Sequence, residues 1–186
     1  MLREAGLEPG QFIVVHMSSG SPLREWPAAK WRELAEHLTI DGHGLVFTGS
    51  GQEQARAIAD VTRDLPGCTN LCDRLEWPEF VHVVACAELL VSVETVAAHV
   101  AAAVGTPSVA IWTGIGRLSH WRPLGGECTV LMNQVPCAPC FRSRGCQAMS
   151  CVRDVSVGAV LEAVRSHLRP AGDLAASKSP HRVATG

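Results

Sequence analysis

Short β-branched runs alternate with helix-length stretches along most of this chain, and that alternation constrains its fold more than any other feature. "FIVVHM" (12–17), "LVFTG" (45–49), "ELLVSV" (88–93) and "PSVAIW" (107–112) are nearly continuous apolar runs. Runs of this length suit strands covered on both faces. "AAKWRELAEHLT" (28–39) places Trp31, Leu34, Ala35 and Leu38 on one helical stripe. "EQARAIADVTRDL" (53–65) predicts a second helix, ended by Pro66-Gly67. "EWPEFVHVVACA" (76–87) predicts a third, with Pro78 in its first turn, where a missing N–H costs nothing. "TVAAHVAAAVG" (95–105) and "SVGAVLEAVRSHL" (156–168) predict two more, and short strands are expected near 69–71 and 128–132. Strands separated by single helices imply βαβ units with right-handed crossovers. The expected fold is therefore α/β, a Rossmann-like doubly wound parallel sheet.

The domain organisation follows from where that pattern starts and stops. Residues 1–10 read as a linker or the end of something upstream, 11–168 as the domain, and the Ala-, Ser- and Pro-rich tail 169–186 as disordered. A hydrophobic content of 47% with 18% charged residues is enough to fill one core. The net charge of −2 gives no broad attraction to nucleic acid or to an anionic membrane, and no nucleic acid is expected as a partner. "MLREAGLEPG" has no apolar signal region, so the expected location is cytoplasmic, or peripheral at the inner membrane through a full-length enzyme. The apolar stretch from Leu89 to Trp112 is interrupted by Glu94, His99 and "GTP", which favours strand–helix–strand over a membrane span.

Open parallel sheets bind ligands beyond the carboxyl ends of their strands, beside helix N-termini. Three loops should lie there. In "HMSSGSPLREWP", Ser18, Ser19 and the Gly20 amide can hold a phosphate, and Arg24 can add charge-assisted bonds. A plain polar turn with a surface arginine is the competing reading. In "TGSGQEQ", Glu53 can accept hydrogen bonds from a ribose, or simply favour a helix N-terminus through the macrodipole. In "SVETVAAHVAAAVGTP", Thr95 is placed to cap a helix, Glu94 precedes it, and His99 follows one turn on. Helix amides make such a position an anion site, and His99 can donate to a phosphate. A satisfied core histidine is the alternative. The alanines let the helix lie close to the sheet.

In order and spacing these loops resemble glycosyltransferase family 9, the heptosyltransferases of lipopolysaccharide core synthesis. The likeness covers roughly residues 11–168, through "HMSSGSPLREWPAAKWRELAEHL", "GLVFTGSGQEQARA", "LLVSVETVAAHVAAAVGTPSVAIW" and "CAPCFRSRGCQAMSC". The resemblance implies the C-terminal, donor-binding half of a GT-B enzyme, taking a nucleotide sugar such as ADP-heptose. It implies that Ser18 and Ser19 meet the diphosphate and that Arg24 neutralises it. It implies that Glu53 binds the ribose, and that Glu94, Thr95 and His99 hold phosphate and sugar. The acceptor, lipid-linked or glycan, and the catalytic base would belong to an N-terminal domain. No cofactor would be needed for transfer. Three positions depart from the family pattern: Arg24 for lysine, Glu94 for aspartate, and Val96 for the glycine where backbone meets phosphate. The alternatives are a nucleotide-binding module without catalysis and a small metal-binding interaction protein.

The last alternative comes from the cysteines. The chain has eight, and Cys137, Cys140, Cys146 and Cys151 form C-x2-C-x5-C-x4-C. Four thiolates in a compact loop suit structural zinc, or less well an iron–sulfur cluster. Four unligated thiols, or disulfides formed on oxidation, are the other readings.

Overall fold

The computed structural model describes residues 6–168, so the expected disordered tail, 169–186, lies outside the described residues. The predicted alternation is realised element by element. Strand β1 (Phe12–His16) leads through a single 3-10 turn (Pro22–Arg24) to helix α1 (Ala28–Ile40). Then follow β2 (Gly44–Thr48), α2 (Gln52–Thr62), β3 (Cys68–Asn70), α3 (Trp77–Cys86), β4 (Leu89–Val93), α4 (Val96–Val104) and β5 (Ser108–Ile111). The chain continues through α5 (Leu118–Trp121), β6 (Cys128–Leu131), α6 (Ser150–Arg153) and α7 (Val157–His167). The 3-10 turn, α5 and α6 are too short to leave a periodic signature, and sequence reading passes over them.

All six strands are parallel, in the order β3-β2-β1-β4-β5-β6. Strand order reverses between β1 and β4, and the loops leaving those two strands must part to opposite faces. The divergence opens a crevice at the carboxyl edge of the sheet.

Alternate residues of the central strands feed two cores. Ile13, Val15, Leu45, Phe47 and Val91 pack under α1, α2 and α7 against Trp31, Leu34, Leu38, Ile58 and Val160. Phe12, Val14, Val46 and Leu90 face the other way, under α3 and α4, against Phe80, Val84, Ala97 and Ala101. Fully burying one such side chain stabilises by about 1.5–3 kcal/mol. Ala97, Ala98 and Ala101 are wholly buried, so α4 lies close on the sheet. Residues 6–10 do not run free of the domain as a linker would. Leu7 is buried beside Phe12, and the Gly10 amide donates to the Cys86 carbonyl at 2.8 Å.

Helix α7 returns beside α1, where Arg165 donates to Asp41 Oδ2 at 2.7 Å. That hydrogen bond holds the Asp41 carboxyl below its usual value of 3.8. A depressed folded-state pKa means the pair stabilises above the unfolded value and stops doing so as pH falls through the folded one. Asp41→Asn should therefore lower stability at neutral pH and change little in strong acid. Both side chains are partly exposed, so urea titration should register less than about 1 kcal/mol.

Candidate functional site

The three loops converge at the carboxyl edge, as their positions after β1, β2 and β4 require. A cleft of about 360 Å³ lies over the ends of β1 and β2, bounded by Ser18, Ser19, Thr48, Leu75, Trp77 and Thr95. A second, of about 310 Å³, lies on the α1–α2 side of the first loop and is bordered by Ser18, Trp26 and Glu53. Ser18 thus stands between the two.

The first and third loops are tied together by charge. Arg24 Nε lies 3.6 Å from Glu94 Oε1. The other carboxylate oxygen, Glu94 Oε2, accepts from the Thr113 hydroxyl at 2.6 Å and the Thr113 amide at 3.2 Å. Thr113 is buried just beyond β5. The extra methylene of glutamate lets this carboxylate reach across to the neighbouring strand end, so both its oxygens face the protein's own groups. Its immediate effect is to hold Arg24 next to the start of α4, although neither Arg24 nor Glu94 lines either cleft. Arg24 itself remains 44% exposed, free to turn toward an incoming anion.

The remaining expectations are met unevenly. Ser18 Oγ donates to Glu25 Oε1 at 3.0 Å and accepts from the Gly20 amide, while Ser19 Oγ reaches only the Ser21 carbonyl, at 3.5 Å. Thr95 occupies the N-cap position of α4 in extended geometry, but its hydroxyl makes no capping bond. The expected cap is therefore absent, and the first-turn amides keep their capacity for an outside acceptor. His99 is exposed on α4, on the face it shares with Thr95 and Val96 one turn earlier, and does not itself line either cleft. Its position faces outward because α4 buries Ala97, Ala98, Val100 and Ala101 instead. Val96 lines the larger cleft and is 51% exposed, at the position where glycine would have left the amides bare.

The second loop is more occupied than its glycines suggest. The Ser50 amide donates to Gln54 Oε1 at 3.0 Å, and the Gly51 amide to Asp73 Oδ1 at 2.7 Å. A Cβ at Gly49 would sit 2.6 Å from Gln54 Oε1, so a larger residue there would push that side chain off the Ser50 amide.

Sequence reading missed His16. It was absorbed into an apolar strand, although a polar residue ending such a run is the signal for a group at the ligand edge. His16 Nδ1 pairs with Thr48 Oγ1 at 2.9 Å, and its ring tilts on Phe80 at 5.7 Å between centroids. Burial lowers its pKa from 6.5 to about 4. The imidazole is neutral at physiological pH and serves as a hydrogen-bonding wall of the cleft. Trp77 and Phe80 were read only as helix residues, yet both line the same cleft, with Trp77 57% exposed.

The cysteine loop does not form the expected zinc site. Among the described residues no three His, Cys, Asp or Glu side chains gather to hold a metal ion. Cys137, Cys140, Cys146 and Cys151 are free thiols. Cys151 is buried in the main core through α6, whereas Cys137 and Cys146 are exposed. Cys151 nonetheless stays beside the loop, since a Cβ added at Gly114 would meet both Ala138 and Cys151, and Cys146 Sγ accepts from the Met149 amide at 3.3 Å.

Residues 3–149 match the family described as glycosyltransferase family 9 (heptosyltransferase). The chain belongs to glycosyltransferase family 9. A lipopolysaccharide heptosyltransferase 1 from Pseudomonas aeruginosa is 32% identical over 142 residues, 74% of this chain and 39% of that one. The structure of Escherichia coli ADP-heptose lipopolysaccharide heptosyltransferase II superposes with a TM-score of 0.74 at 21% identity, covering 89% of this chain and 49% of the other. An E. coli heptosyltransferase solved with ADP-2-deoxy-2-fluoro heptose gives 0.67 at 18% identity, over 86% and 44%. The fold is thus that of one half of a GT-B heptosyltransferase. The chain spans about a third to two fifths of the length of the curated relatives it matches. No helix among the described residues is long and apolar enough to cross a membrane.

Proposed function

We propose that this family 9 chain is a donor-binding domain, taking a nucleoside diphosphate sugar of the ADP-heptose kind. It would serve an inverting glycosyltransferase acting in lipopolysaccharide or related glycan synthesis. The acceptor, lipid-linked or glycan, and the base that activates its hydroxyl are assigned to a second domain. The observation that carries this reading is the Arg24–Glu94 pair. It sets a guanidinium beside Glu94, the residue that precedes the uncapped N-cap Thr95 of α4, and Thr95 borders a cleft together with Ser18 and Ser19. Two sources of positive potential converge where a leaving diphosphate would gather charge as the sugar–phosphate bond breaks, and such preorganised groups act there more strongly than in water. Glu53, on the rim of the smaller cleft, is the ribose ligand in this reading. The ADP-heptose relatives support the choice of nucleotide.

Calorimetric titration with ADP tests it. The chain should bind ADP, and Arg24→Ala should weaken binding about 10- to 100-fold, the range of a hydrogen bond to a charged group. Absence of ADP binding by the unaltered chain would sink the assignment. His99→Ala should have a smaller effect, because a neutral imidazole offers a phosphate one hydrogen bond without the full charge of a guanidinium. Val96→Gly should tighten binding by freeing approach to the α4 amides, which a β-branched side chain obstructs.

A further inference from the structure

The two clefts share four of their bordering residues, Ser18, Gly20, Thr48 and Gln54, which therefore form the partition between them. Ser18 and Gly20 belong to the first loop, and Thr48 ends β2, where it is bonded to His16. Gln54 comes from the first turn of α2, directly after Glu53, and is half-buried. In "TGSGQEQ" nothing along the line singles it out from its polar neighbours. The structure places it where both clefts meet.

The orientation of its carboxamide is fixed by chemistry. Gln54 Oε1 accepts from the Ser50 amide at 3.0 Å. A flipped amide would set N–H against N–H, so the end that faces Ser50 must be the oxygen. That oxygen also lies over Gly49, as the 2.6 Å approach of an added Cβ shows. The accepting end is thus committed to the protein's own loop. The Nε2 end keeps two N–H donors, which have no partner among the described residues. Glu53, one position earlier, can only accept when ionised. Adjacent residues of α2 therefore present the clefts with one group that accepts and one whose free end donates.

We propose that Gln54 contacts the nucleoside of the donor, its Nε2 donating to an acceptor atom of a nucleoside that lies across the partition while Glu53 accepts from the ribose hydroxyls. The assignment rests on the reading of this chain as a nucleoside diphosphate sugar domain. A nucleoside carries both kinds of group: hydroxyl donors on the ribose, and acceptor atoms on the base and the ribose ring. A bare phosphate or diphosphate offers acceptors alone and has no use for Glu53. The bond to Ser50 sets the side chain before the ligand arrives, so little rotamer freedom is lost on binding. A plain helix cap would place the oxygen in the same way, since Gln54 is the third residue of α2. Capping uses only the oxygen, however, and ligand contact uses only the nitrogen.

Gln54→Glu and Gln54→Met separate the two roles. Glutamate keeps an oxygen for the Ser50 amide and adds a charge favoured at a helix N-terminus, but it has no N–H to donate. Methionine keeps the length of the side chain, adds no charge and has neither group. The variants share only the loss of the Nε2 donors. Calorimetric titration is run in high salt, where the added charge is screened. Both variants should bind ADP about threefold to tenfold more weakly than the parent, the range of one neutral hydrogen bond. Pyrophosphate, which lacks the nucleoside, should bind each variant within about twofold of the parent. Thermal melting should hold or rise in Gln54→Glu and fall in Gln54→Met, because only the first retains the cap. ADP affinity that followed the melting, kept by Gln54→Glu and lost in Gln54→Met, would reduce Gln54 to a cap and overturn the proposal. Equal weakening of ADP and pyrophosphate would overturn it too. If one variant failed to fold, the contrast between ADP and pyrophosphate in the other would still decide. Failure of the parent to bind ADP would sink the donor-binding reading itself, whereas a parent that binds ADP no better than both variants would sink only the role of Gln54.

Discussion

Trp26→Ala should cost the domain about 3–5 kcal/mol, read as a lowered midpoint in urea unfolding followed by circular dichroism. Trp26 is 3% exposed, and its ring meets that of Trp31 edge-on at 5.0 Å. Truncation leaves a cavity beneath α1 that the rigid sheet cannot close. It also removes the bond from Trp26 Nε1 to the Val155 carbonyl at 2.9 Å, which fastens the end of the first loop to the start of α7. A domain of ordinary stability holds only about 5–15 kcal/mol in total, so the variant stands near the folding threshold. Trp26→Phe separates the two contributions. Phenylalanine keeps most of the packing, and the Val155 carbonyl is not orphaned, because Lys30 Nζ also donates to it at 2.8 Å. The expected cost is then about 1–2 kcal/mol, the loss of one hydrogen bond and some ring volume. Equal losses in the two variants would mean that the loop tether, not the packing, carries the stability.

The second large effect is a dependence of stability on pH that resides in His16. Its folded-state pKa is lowered from 6.5 to about 4 by burial. The sign follows from proton binding. Above pH 6.5 the imidazole is neutral in both states and contributes no pH dependence. Between 6.5 and about 4 the unfolded chain takes up a proton that the folded one refuses, so stability falls as pH falls. Below about 4 both states are protonated and the loss levels off. A shift of this size corresponds to about 3 kcal/mol across the window. His16→Gln can still hydrogen-bond Thr48 but does not titrate, so its stability should stay nearly level over the same range apart from the carboxylate contribution near its lower end. Urea midpoints measured across the window would compare the two proteins directly. Parallel curves would show that the acid sensitivity lies elsewhere.

The same residue marks the boundary between what the sequence could reveal and what it could not. The helices were legible because each buries one face and so carries a period of 3.6, and the strands because they are buried on both faces and read as continuous apolar runs. Val14 and Val15 face opposite cores, and Trp31, Leu34 and Leu38 share one stripe, as their spacing requires. The ligand edge was legible as well, since parallel strands send their following loops to a common side. Which atoms meet within that edge was not. His16 closed an apolar run and carried no period of its own. His99 was read as part of the anion site because it follows Thr95 by one turn. The buried alanines fix the rotation of α4 and leave His99 on the exposed face that Val96 shares, a detail the spacing alone did not give.

Cysteine spacing was only partly informative for a related reason. Spacing is a count along a line, and ligation depends on distance in space. Cys137, Cys140, Cys146 and Cys151 suggested a metal site, yet among the described residues no three potential ligands gather, although a Cβ added at Gly114 would meet both Ala138 and Cys151. By itself the sequence determined the alternation of elements, the parallel sheet and the edge on which the loops meet, because those follow from local periodicity and chain connectivity. The tertiary structure alone decided that Glu94 would reach Thr113 and hold Arg24, and where each thiol of the cysteine loop would lie. Contacts between residues far apart in the chain are set by packing, which leaves no periodic trace in their order.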